Sequence, residues 1–230
     1  MVAIAAFAAL AALAGCGGDK SGGPLGAPET VVGKAPDMTL AQGTARVYIT
    51  APTANASGVV DLHGHNAHLV LSASGLAQPA DLIVNAGVAK VRTPPGTSYT
   101  PLPGAVPPVL QGGDPWADID LVRGTVHILS NGGGEVEGVS TIGYTLTVDP
   151  QQAIETTPPE RQDALKATLQ GRTTMFQMEV WIDSQFRLRR IEVPYDFSFK
   201  TVTPPTRVDG ATIATDVDFV TFGVAVPATS

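Results

Sequence analysis

The chain holds one cysteine, Cys16, and four histidines. A lone thiol has no disulfide partner within its own chain. A reactive thiolate needs a cation or histidine held beside it by a rigid fold. Cys16 instead sits between the apolar run from Val2 to Leu13 and a Gly-rich stretch, which leaves acylation of the sulfur as the third use. Asp61, His63 and His65 follow one another at steps of two, with His68 close behind. On a strand that spacing puts both imidazoles on one side, as strand-borne zinc ligands can be; Gly64 and Asn66 suit equally a bend or a solvated polar face. Arg187, Arg189 and Arg190 could hold phosphate or an acidic sugar, or could guard an edge strand against aggregation. The sequence carries no Gly-x-Ser-x-Gly, no His-Glu-x-x-His and no Gly-Lys phosphate loop. Gly132, Gly133 and Gly134 follow an expected helix instead of opening one, which is wrong for cradling phosphate. The expectation is a non-enzymatic protein with no catalytic residue, no cofactor and no resident metal; a metal-binding protein using His63 and His65 stands as a further alternative.

The apolar segment before Cys16 is too short to cross a ~30 Å hydrocarbon core as a helix and has the length of a signal-peptide core. The run Leu13-Ala14-Gly15-Cys16 resembles the lipobox of bacterial lipoproteins. That resemblance implies a diacylglycerol thioether on Cys16, cleavage before it, and an exported chain anchored at the outer face of the cell membrane. No Lys or Arg precedes Lys20, a departure from the usual charged start. The expected organisation is a signal peptide over 1–15, a flexible Gly/Pro-rich tether over 16–36, and a single domain over 37–230.

Charged residues make up 15% and hydrophobic ones 43% of the chain, against ~25% charged in an average protein, so a sizeable core is available. A net charge of -7 argues against nucleic acid, whose phosphates require clustered Lys and Arg, and against a polybasic grip on lipid. Attachment then rests on acyl chains, of which two or three anchor stably where one does not.

Those side chains need elements to position them. After a possible helical turn at Asp37 to Gln42, the segments 45–50, 59–65, 68–73, 81–85 and 88–92 read as strands of an antiparallel meander. Residues 93–114 form a Pro-rich surface loop, either a lid or decoration. Asp114 can cap and Pro115 can open a helix whose apolar residues Trp116, Ile119, Val122, Val126 and Leu129 recur at helical steps, with Asn131-Gly132-Gly133 stopping it. Residues 140–148 alternate strictly, with Ile142, Tyr144, Leu146 and Val148 on one face. A helix follows over 158–170. Residues 174–183 and 186–195 flank Ser184-Gln185 as a hairpin, and 195–202 and 212–222 finish the sheet. Strands, helix, strand, helix and strands in that order describe α+β with an antiparallel sheet.

The run Glu137 to Thr141 entering the strand Tyr144 to Asp149, then Val180-Trp181-Ile182-Asp183 and the return Arg187 to Ile191, resembles the LppX/LprG-type lipoproteins of actinobacteria, within the wider LolA-like half-barrel group. Upstream, GTARVYI and PADLIVNAG fit the same order of elements. The resemblance implies a strongly curved antiparallel sheet, a half-barrel, with two or three helices covering its concave face. It further implies a hydrophobic cavity that takes the acyl chains of lipids or lipidated glycans, carried across the cell envelope. Candidate lining residues are Trp116, Ile119, Val122, Ile142, Tyr144, Leu146, Met178, Val180 and Phe197. The alternative is an envelope structural or signalling module with a filled core that binds a protein partner.

Overall fold

The computed structural model describes residues 26–52, 54–86, 88–102, 113–169, 172–194 and 214–226. Eleven strands form one open antiparallel sheet: β1 (Thr44–Ala51), β2 (Ala54–Asp61), β3 (Asn66–Ala73), β4 (Ala80–Asn85), β5 (Val88–Arg92), β6 (Thr100–Pro101), β7 (Thr125–Val136), β8 (Val139–Val148), β9 (Phe176–Asp183), β10 (Leu188–Pro194) and β11 (Ala214–Phe222). Across the sheet they run β6-β5-β4-β3-β2-β1-β11-β10-β9-β8-β7. The chain therefore lays down one wing as a meander, makes the helices and the second wing, and returns with β11 to join the two. Helices α1 (Pro28–Leu40), α2 (Pro115–Leu121), α3 (Pro150–Thr156) and α4 (Pro159–Leu169) lie against the buried, concave face.

Alternation of side chains decides which face is buried. Val47 and Ile49 on β1, Leu69 and Leu71 on β3, Leu82 and Val84 on β4, and Val217 and Phe219 on β11 are buried, while Arg46, Tyr48 and Val70 between them are not. Strand β8 keeps the alternation expected of it. These inward side chains and those of α1 and α2 form one continuous cluster.

Three expectations about elements are corrected. Residues 28–36 are not tether but most of α1, with Pro28 at its first turn and Val31, Val32 and Ala35 buried. Gly33 and Pro36 dilute the pattern into something linker-like, yet burying Val31 and Val32 is worth ~1.5–3 kcal/mol each. The turn expected at 37–42 is the end of this helix. Thr39 ties it to the sheet: its hydroxyl donates to Ala35 O (2.7 Å) and accepts from Leu188 N (2.9 Å), where the β9–β10 register shifts.

Second, the helix expected to reach Leu129 stops at Leu121, tightens into a single 3₁₀ turn (Val122–Gly124), and becomes β7. A Cβ on Gly124 would lie 2.5 Å from Asp149 O and 2.7 Å from Ala153 Cβ, so only glycine lets α3 pack over this corner. Asn131 to Gly134 belong to β7, not to a helix end, and Val126 and Leu129 are exposed by 45% and 52%. Ten residue pairs with β8 override a weak helical period. Third, β2 ends at Asp61, so His63 and His65 lie in the turn to β3 and share no strand face. Within the Pro-rich loop, Thr100 and Pro101 form β6 against β5; 103–112, like the strand expected at 195–202, lie outside the described residues.

Candidate ligand-binding interior

The predicted lining residues come together. Strands β8 and β9 place Ile142 opposite Ile182, Tyr144 opposite Val180 and Leu146 opposite Met178, a ladder of apolar pairs on the concave face. Trp116 and Ile119 from α2 and Val122 from the following turn join the same buried cluster. All eight expose 8% of their surface or less, so the interior is shut around them. Burial pushes the Tyr144 phenol above its ordinary value. Phe197 and Cys16 lie outside the described residues.

A polar pin fixes the helices over this interior. Asp114 caps α2, its Oδ1 accepting from Trp116 N (3.1 Å) and Ala117 N (3.2 Å), with Pro115 pre-set for the first turn. From α4, the buried Arg161 donates Nε to Asp120 Oδ2 (2.7 Å), one Nη to Leu62 O (3.1 Å) and the other to Trp116 O (3.1 Å). One guanidinium thus joins α4, α2 and the β2–β3 turn. The other oxygen of Asp120 accepts from Arg123 Nε (3.2 Å), and Arg123 reaches on to Asp37 of α1 (2.5 Å). Nothing in the sequence spacing linked Arg161 to Leu62, 99 positions apart.

The Asp-His-His segment serves this same joint. Asp61 O accepts from Trp116 Nε1 (2.8 Å), and His65 stacks on the Trp116 ring with centroids 5.5 Å apart. The Asp61 carboxylate accepts from the amides of His63 (3.0 Å) and Gly64 (2.9 Å). Burial works against its charge, but these amides and the Asn66 side chain hold its pKa below the ordinary value. Burial, followed by the nearby Arg161 charge, lowers the pKa of His65. Among the described residues no group of three or more His, Cys, Asp or Glu side chains is arranged to hold a metal.

Among the described residues, five buried side-chain oxygens have no hydrogen-bond partner, on Asp118, Thr141, Thr157, Thr215 and Asp216. Asp118 exposes 3% of its surface and its Oδ2 has no hydrogen-bond partner. Burial, and then the neighbouring Asp114, push this carboxyl well above the ordinary range, as expected for a buried carboxyl without a cation beside it.

The arginine cluster is neither an edge nor a free cationic patch. Strand β10 lies between β9 and β11. Asp183 Oδ2 accepts from Arg187 Nε (2.9 Å) and Arg189 Nε (2.8 Å), and Arg190 pairs with Asp218 (2.5 and 2.6 Å). Arg189 also donates to the carbonyls of Phe219 and Val220. These groups lock the β9–β10 hairpin to β11. Burial opposes the Asp183 charge, but Arg187, Arg189 and the amides of Gln185 and Arg187 outweigh it and lower its pKa.

A cleft of about 440 Å³ opens beside the interior, between α1 and the start of β7. Val32, Val122 and Ile128 supply its apolar lining, and Glu29, Arg123, His127 and Thr156 its polar lining. Of the predicted lining residues only Val122 reaches it. Reading α1 as tether concealed this cleft, because one of its walls is that helix.

No family model and no curated protein matches the chain. Its fold is shared by solved structures, among them the following two. The lipoprotein LppX of Mycobacterium tuberculosis superposes with a TM-score of 0.56 at 12% identity, covering 86% of this chain and 98% of that one. LprF from Mycobacterium bovis gives 0.52 at 14% identity, covering 87% and 95%. The expected half-barrel is therefore the fold of this chain, recovered at an identity where sequence alignment alone carries little.

Proposed function

We propose that this chain is a membrane-anchored lipoprotein that takes acyl chains of a lipid or lipidated glycan between its sheet and its helices and carries them across the cell envelope. The observation that carries the reading is the concave face itself: an apolar ladder from β8 and β9, in one buried cluster with α1 and α2, on an open sheet shared with a lipoprotein of known structure. In this reading the acyl groups on Cys16 are the anchor, and the apolar run before it directs export to the outer face of the cell membrane. Each buried CH₂ of a guest chain would contribute ~0.8 kcal/mol, which drives loading. Because the eight lining side chains expose so little, loading requires α1 and α2 to move off the sheet, and the Arg161 pin sets the resistance to that motion. Native mass spectrometry of the mature chain purified from a bacterial host that acylates it tests the reading: co-purified lipid on an acylated Cys16 supports it, and protein reproducibly free of lipid refutes it.

The shut interior also favours a second reading, a filled core whose outer face or loops bind an envelope protein. That reading predicts no guest lipid under any loading condition, and a cross-linked partner in the intact envelope.

A further inference from the structure

We infer that the rim made by the start of α1 and the edge strand β7 is the surface that lies on the bilayer, an inference that rests on the acylation of Cys16 proposed above. Three observations converge on this rim. Strand β7 is the outermost strand of its wing, and Val126 and Leu129 stand out from it with about half their surface exposed. From Thr125 to Gly134 its one ionisable side chain is His127. In a chain of net charge -7, this stretch is repelled little by anionic headgroups, with Glu29 and Asp37 of α1 and Glu135 at the far end of β7 the carboxylates on the same two elements.

The second observation is the cleft. Val32, Val122 and Ile128 give the rim an apolar recess directly beside Val126. The third is reach. Pro28 opens α1, and Glu29, Val32 and Gly33 line the same cleft as Val126 and His127, so the chain arrives at the fold on this side. Eleven residues lie between Cys16 and Pro28, so the twelve steps reach about 40 Å at most. Strand β5 lies nine strand steps from β7, about 43 Å along the sheet at ~4.8 Å per step. An anchor at Cys16 therefore draws the β7 rim, where the chain enters the fold, toward the headgroups ahead of the β5 wing. The occupant of the rim is the lipid surface, with the acyl anchor supplying affinity and Val126 and Leu129 setting orientation.

The test uses the acylated full chain, whose own cysteine is consumed by the thioether, carrying one added cysteine at a time: Val126→Cys, Leu129→Cys or Val88→Cys. Val88 is exposed by 53% on β5 and serves as the distant control. Each variant is labelled with a fluorophore, reconstituted on phosphatidylethanolamine/phosphatidylglycerol vesicles, and quenched by nitroxide-bearing phospholipid. Labels at 126 and 129 should be quenched several-fold more than the label at 88. Equal quenching at all three sites, or none at 126 and 129, overturns the inference when mass spectrometry shows the acyl groups and the protein floats with the vesicles. A mature N-terminus without acyl groups removes the anchor reading and the inference together.

Discussion

Replacing Arg161 with Met keeps the stem that packs under α2 and removes the guanidinium. Three donors disappear at once: Leu62 O and Trp116 O lose the Arg161 hydrogen bonds and Asp120 Oδ2 loses its cation. Charged hydrogen bonds are worth ~1.5–3 kcal/mol each, and stripping one partner from a buried ion pair costs ~3–5 kcal/mol. Arg123 still holds the other Asp120 oxygen, which keeps the loss at the lower end, about 3 kcal/mol. At a urea m-value near 2 kcal/mol/M, the unfolding midpoint followed by tryptophan fluorescence should fall by about 1.5 M. A double-mutant cycle with Asp120→Asn should return a coupling of ~1–3 kcal/mol, and amide exchange over Pro115 to Leu121 should accelerate in the single variant. A loss below about 1 kcal/mol, or strict additivity with Asp120→Asn, would refute the claim that this one side chain pins α2 and α4 over the sheet.

Asp118→Asn should stabilise the protein at pH 7: the folded carboxyl keeps its proton well above the ordinary 3.8, so parent stability declines as pH rises from there and then levels off, and the variant's urea midpoint should lose that decline. Asp183→Asn should act oppositely: the folded group is more acidic than the ordinary 3.8, so its contribution is complete above that value and drains as pH falls through the lower folded one, a loss visible in the parent's acid unfolding curve and missing from the variant's. Gly124→Ala forces a methyl against Asp149 O and Ala153 and should cost ~1–3 kcal/mol, lowering Tm by roughly 2–4 °C per kcal/mol; an unchanged Tm would mean that the corner yields freely.

The strands were legible wherever alternation met turn residues, as at β8, where Ile142, Tyr144, Leu146 and Val148 all face inward. The interior was legible for the same reason, since residues of one strand face stay together once the strand is placed. Helix α1 was hidden because Gly33, Pro36 and the residues before Pro28 read as linker, while its stabilisation comes from burial of Val31 and Val32 beneath the sheet's edge, a tertiary effect. At Val126 and Leu129 two periods competed, and pairing with β8 won. The Arg161 pin left no local signal, because its partners are set by the packing of three distant elements. Similarly, Arg187 to Arg190 looked like a free cationic run because the carboxylates that neutralise them, Asp183 and Asp218, lie across a turn and on the last strand.

The most direct test of the lipid reading asks where a guest chain sits. Delipidated protein is loaded with a phospholipid carrying a diazirine in its acyl chain, irradiated, and the labelled peptides are mapped by mass spectrometry. Saturable labelling confined to Trp116 to Val122, Ile142 to Val148 and Met178 to Ile182 is the predicted result. Labelling that is absent, non-saturable or confined to exposed residues such as Tyr48 and Val70 would contradict it.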